Sequence, residues 1–155
     1  MPYPIKPSEF EVILLAAGCS RRLSHLTQTQ PKSFLLVGGQ TIIERNLNIL
    51  DSLGFEKVTV VVGYQKQVFY EKIGKKWGKL NLCYVESLDF DTTGHGWSLY
   101  MARDVWMNEQ RPVLLVHADV LYDKRILEML LSTTDENIIV TDNCFESKTG
   151  DEILV

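Results

Sequence analysis

Cysteine is scarce in this 155-residue chain, and the three present, Cys19, Cys83 and Cys144, are scattered. Their number is odd and no metal-ligand spacing joins them, which argues against a disulfide framework or a zinc site and for reduced thiols in a cytoplasmic protein. Long apolar runs are absent as well. None approaches the roughly 20 residues a membrane-spanning helix requires, and the opening MPYPIKPSEF lacks the apolar core of a secretory signal. Neither membrane attachment nor export by that route is expected. Excess positive charge is missing too: the formal net charge of −4 argues against a nucleic-acid binder, while leaving room for a small basic pocket that takes one anionic ligand. No repeat, low-complexity tract or linker interrupts the chain, so one domain over residues 1–155 is expected.

What is present reads as alternating strands and helices. Glu11 to Ala16 (EVILLA), Lys57 to Val62 (KVTVVV), Leu80 to Val85, Pro112 to Val116 (PVLLV) and Asn137 to Thr141 (NIIVT) are strand-sized apolar runs. Helical spacing predicts helices over Thr41 to Leu53, Gln65 to Trp77, Gly96 to Met107 and Lys124 to Leu131. Strands that are apolar throughout and alternate with helices imply a Rossmann-like α/β fold, a mostly parallel, mixed sheet with helices on both faces. Glu152 to Val155 (EILV) reads as the start of a further strand, so a C-terminally truncated domain is expected. Trp97, Tyr100 and Trp106, at helical spacing, are expected in the core, and Lys72, Lys75, Lys76 and Lys79 on a solvated basic face.

Ligands in such folds bind in loops at the carboxyl ends of strands. After the first strand stands Leu15-Ala16-Ala17-Gly18, whose small side chains let backbone N–H groups approach a ligand. Ser20 adds a hydroxyl, and Arg21, Arg22 and Lys32 add positive charge, a set of donors suited to a polyphosphate. Neither a P-loop nor a G-x-G-x-x-G fingerprint is present, and a tight turn with solvated arginines is the bland alternative. After PVLLV comes His117-Ala118-Asp119, where a carboxylate at a strand tip could hold Mg²⁺ through oxygen or simply cap a turn. Cations at one strand end and an aspartate at another are the pairing that phosphoryl transfer requires. His117 alone reads as a structural residue. Thr92-Thr93-Gly94-His95-Gly96, opening a helix, could approach a base or a phosphate or equally be ordinary loop chemistry.

Together these residues resemble the nucleotidyltransferase family, the MobA-like NTP transferases that activate phosphorylated small molecules. Leu15-Ala16-Ala17-Gly18-Cys19-Ser20-Arg21-Arg22-Leu23 followed by Pro31-Lys32 matches the family's opening motif in order and spacing. Ser98-Leu99-Tyr100-Met101-Ala102-Arg103, Ala118-Asp119-Val120-Leu121-Tyr122-Asp123 and Thr149-Gly150-Asp151-Glu152 resemble the phosphocholine and phosphonate cytidylyltransferase branch. That branch often carries Asn-Asn where Gly94 and His95 stand here. The resemblance implies nucleotide binding at Leu15, Ala16, Ala17, Gly18, Ser20 and Gly94, catalytic charge from Arg22 and Lys32, and Mg²⁺ on Asp119; Arg21 falls on a variable position. The implied reaction moves CMP from CTP to a phosphorylated acceptor such as phosphocholine, releasing pyrophosphate. A sugar-1-phosphate nucleotidyltransferase and a non-catalytic nucleotide-binding fragment are the alternatives. A second metal carboxylate is implied but not assigned, with Asp142 and Asp151 as unplaced candidates, and self-association is left open.

Overall fold

The computed structural model describes residues 5–19, 26–107 and 111–141. Ile5–Tyr122 form one compact unit, and Asp123–Thr141 belong to a second.

Five strands build the sheet of the first unit: β1 (Glu11–Ala16), β4 (Lys57–Val62), β5 (Lys76–Trp77), β6 (Leu80–Glu86) and β7 (Val113–His117), in the order β5-β6-β4-β1-β7. The β1–β4, β4–β6 and β1–β7 pairings are parallel and β5–β6 is antiparallel, so the sheet is mixed, as expected. Ile13 lies between Thr59 and Leu115 in register, and Leu15 between Val61 and His117. Every residue of β1 is buried, which is why EVILLA shows no polar alternation.

Two short strands, β2 (Leu36–Val37) and β3 (Gln40–Thr41), form a hairpin through Gly38 and Gly39. It leads into α1 (Ile42–Leu53). Thr41 caps this helix: its hydroxyl accepts from the Glu44 N–H at 3.3 Å, while the Glu44 carboxylate accepts from the Thr41 N–H at 2.9 Å. Gly54 ends it at φ +87°, a conformation open to glycine. Ile43, Leu47 and Leu50 are buried, and α1 packs against β5 and β6. Against β1 and β4 lies α3 (His95–Met101), followed by α4 (Arg103–Met107). Here Ile13, Leu15, Ala17, Val61 and Ala102 make a core to which Leu99, Val105 and Phe90 add.

Several expectations need correction. α2 (Lys66–Lys72) stops five residues before Trp77, because Gly74 turns the chain at φ +72° and Lys76–Trp77 pair with β6. The helix expected over Gly96 to Met107 breaks at Ala102. Trp97, Tyr100 and Trp106 are each more than a third exposed rather than core; the Arg103 guanidinium lies 4.8 Å over the Tyr100 ring. Asn137 to Thr141 is no strand: Ile138, Ile139 and Val140 are exposed and carry no ladder pairing. In the second unit α5 (Lys124–Ser132) is capped by Asp123, whose carboxylate accepts from the Arg125 N–H at 2.9 Å. The strand expected at Glu152 to Val155, with Asp142 and Asp151, lies outside the described residues.

Candidate active site

The first strand ends in a hook that main-chain bonds hold on two sides. Ala118 N–H donates to Leu15 O at 2.9 Å, and Tyr64 N–H donates to Ala17 O at 3.1 Å. The second bond needs β4 to end close by, and Gly63 makes that approach. A Cβ there would stand 2.8 Å from Ala17 O and 2.7 Å from the Phe90 side chain. Ala17 is buried and Gly18 exposed; a Cβ on Gly18 would face open space, so this glycine leaves room on the solvent side of the hook.

Leu15, Ala16, Ala17 and Gly18 line a cleft together with Pro31, Lys32, Ser33, His95, Ser98, His117, Ala118 and Asp119. Two distant stretches of sequence supply its charges. Lys32 begins a single 3-10 turn, Lys32–Phe34, anchored by the buried Phe34 ring set edge-on to Phe69 with centroids 4.9 Å apart. Asp119 follows β7. Lys32 Nζ donates to Asp119 Oδ2 at 3.0 Å, and both side chains are about two-fifths exposed or a little less, at 35% and 40%.

Asn46 is the residue that sequence reasoning missed. It sits on the buried face of α1 and donates through Nδ2 to Ala118 O at 3.3 Å and Val120 O at 3.4 Å, the carbonyls on either side of Asp119. The legible signal was a carboxamide among Ile43, Leu47 and Leu50, where an apolar side chain is the default. His95, within the glycine-rich stretch that was expected to approach a ligand, does line the cleft. Its ring meets His117 edge to face, with centroids 4.9 Å apart. Burial pulls the His117 imidazole below the usual histidine range, the nearby His95 pulls further, and Asp119 partly offsets both. The balance favours the neutral imidazole. Ser98 Oγ donates to Ser87 Oγ at 3.5 Å.

The structure thus brings Leu15, Ala16, Ala17, Gly18, Lys32 and Asp119 into one cleft. Gly94 is the N-cap of α3, beside His95, and is not among the lining residues. Ser20, Arg21 and Arg22 lie outside the described residues. Among the described residues no group of three or more His, Cys, Asp or Glu could close around a metal ion. One partly exposed carboxylate beside the backbone hook suits a hard cation that keeps waters and takes its remaining oxygens from phosphates. Among the described residues no helix is long and apolar enough to cross a membrane.

Known proteins resemble this chain in sequence and in fold. The MobA-like NTP transferase domain matches residues 12–146. A 2-aminoethylphosphonate cytidylyltransferase of Lancefieldella rimae is 34% identical over 75% of this chain and 46% of its own length. The CMP-5'-(3-aminopropyl)phosphonate synthase of Streptomyces rubellomurinus is 28% identical over 82% of this chain and 20% of its own. Among solved structures, the CTP:phosphocholine cytidylyltransferase of Streptococcus pneumoniae superposes with a TM-score of 0.60 at 27% identity, covering 71% of this chain and 45% of that one. The chain therefore spans half or less of the length of these relatives.

Proposed function

Since the chain belongs to the MobA-like NTP transferase family, we propose that it carries the nucleotide-binding portion of a cytidylyltransferase. The substrates of this reading are CTP and a small molecule bearing a phosphate or phosphonate. The observation that carries it is the Lys32–Asp119 pair at 3.0 Å, facing the Leu15–Gly18 hook across one cleft. An acceptor oxygen forms a bond to the α-phosphorus of the nucleotide. The bond from that phosphorus to the bridging oxygen breaks, and its electron pair leaves with pyrophosphate. The protein's part is positioning and charge. Backbone N–H groups at Ala16, Ala17 and Gly18 hold phosphate oxygens, Lys32 and Arg22 offset the negative charge that grows on the leaving group, and Asp119 holds Mg²⁺. When bound, that ion supplies charge neutralisation to the triphosphate.

Support for CTP and for a phosphonate-type acceptor comes from the relatives named above. The reading is tested by incubating the protein with each of the four NTPs and a panel of 2-aminoethylphosphonate, phosphocholine and a sugar 1-phosphate, following pyrophosphate release. Release with CTP and a phosphonate or phosphocholine is expected. Release only with a sugar 1-phosphate would move the reading to NDP-sugar synthesis. No release in any combination, together with Mg-dependent nucleotide binding, would mark a chain that binds nucleotide without catalysis.

A further inference from the structure

Two hydrogen bonds join polar side chains at the cleft, and one buried hydroxyl there makes none. Lys32 and Asp119 hold each other, Ser98 bonds Ser87, and His95 packs on His117. Ser33 lines the same cleft, is only 3% exposed, and its hydroxyl is buried with no hydrogen-bond partner. The main chain of the turn that carries it is fixed, which leaves rotation about the Cα–Cβ bond of Ser33 to turn the hydroxyl toward a ligand. Phe34 N–H donates to Pro31 O at 2.9 Å, Leu35 N–H donates to Lys32 O at 3.0 Å, and the Phe34 ring is packed on Phe69.

A hydroxyl stripped of water and left unpaired weakens the folded state, and the same hydroxyl gains most when a charged oxygen arrives beside it. We propose that Ser33 is a recognition residue whose hydroxyl donates to a phosphoryl oxygen of the bound substrate, next to the ammonium of Lys32. This rests on the nucleotidyltransferase reading and adds to it a contact that the motif does not assign. The oxygen belongs either to the nucleotide or to the acceptor; the chemistry of the contact is the same for both.

A role in binding and a role in folding predict opposite results for Ser33→Ala. If the hydroxyl waits for ligand, the variant free of ligand melts at the same temperature as the parent chain or higher. Its affinity for the substrate that Ser33 contacts falls by about tenfold, the scale of one hydrogen bond to a charged group. Calorimetry on the full chain with Mg·CTP, with pyrophosphate and with 2-aminoethylphosphonate reads the affinities. A loss confined to CTP and pyrophosphate assigns the contact to the nucleotide, and a loss confined to the phosphonate assigns it to the acceptor; either supports the proposal. Ser33→Cys, close in shape but a weak donor, should reproduce the loss. A lower melting temperature with unchanged affinities would overturn the proposal while leaving the nucleotidyltransferase reading intact. Failure of the parent chain to bind any of the three probes would remove both.

Discussion

Asp119→Asn separates what the ion pair does for folding from what its carboxylate does for chemistry. At 3.0 Å two unit charges attract by about 1.4 kcal/mol in water-like screening and by about 5.5 kcal/mol at an effective dielectric of 20. Both side chains are more than a third exposed or close to it, which favours the first limit, and holding two flexible side chains together costs entropy. A net contribution of about 0.2–1 kcal/mol remains. The amide should therefore lower the melting temperature by no more than roughly 4 °C in a chain of this size. Turnover in the pyrophosphate-release assay should fall by a factor on the order of 10²–10³, as when a transition-state charge contact is removed. So weak a pair is also a low barrier to ligand: opening it weakens substrate binding by about fivefold at most. A destabilisation above about 3 kcal/mol, well beyond the exposed-pair range, would show that the pair is a folding element, and full turnover in the variant would remove Asp119 from the metal site.

Three further outcomes concern the frame around that pair. Gly63→Ala puts a methyl group against the Ala17 carbonyl and the Phe90 side chain; a loss of about 1–3 kcal/mol in denaturant unfolding is expected, and unchanged stability would refute the close approach of β4 to the hook. Asn46→Ala leaves the Ala118 and Val120 carbonyls without their donor, so it should cost about 1–3 kcal/mol and weaken Mg·CTP binding; a stability loss with unaltered affinity would detach Asn46 from the site. At the start of α1, bonds from the Thr41 hydroxyl and Thr41 N–H hold the Glu44 carboxyl below its ordinary 4.5. Its stabilisation is present above that value and is lost as pH falls through the lower folded value. Melts of Glu44→Gln between about pH 3 and 6 should lack this step, and curves parallel to the parent chain would refute it.

Much of the sheet was readable because strands buried on both faces must be apolar throughout, as EVILLA and KVTVVV are. Failure came where apolar residues lacked a partner that local sequence can reveal. Ile138-Ile139-Val140 has strand composition, but a strand exists only when paired, and pairing is set by distant chain. Of the short segments, β2 ends the apolar run Phe34-Leu35-Leu36-Val37, whereas β3 and β5 carry none, and glycines mark the turns beside them. In the site, Lys32 and Asp119 were legible as separate motif positions. Their sharing of one site was expected, but their direct ion pair was not, since 87 residues separate them and the β1–β7 pairing helps bring their loops together. Asn46 and Ser33 stayed hidden for a related reason: each matters through what its polar atoms do once buried, and composition reports only that a polar residue is present.

The boundary between the two units has a practical side. Leu15–Gly18, Lys32, Ser33, Asn46 and Asp119 all fall within Ile5–Tyr122, and the main-chain and Asn46 bonds that fix the hook and the Asp119 loop start and end there too. Tyr122 is thus a natural crossover point for recombination. A chimera carrying this chain to Tyr122 and a relative's sequence beyond it transfers the described cleft with its supporting bonds in one piece, and exchanges only the residues from Asp123 onward.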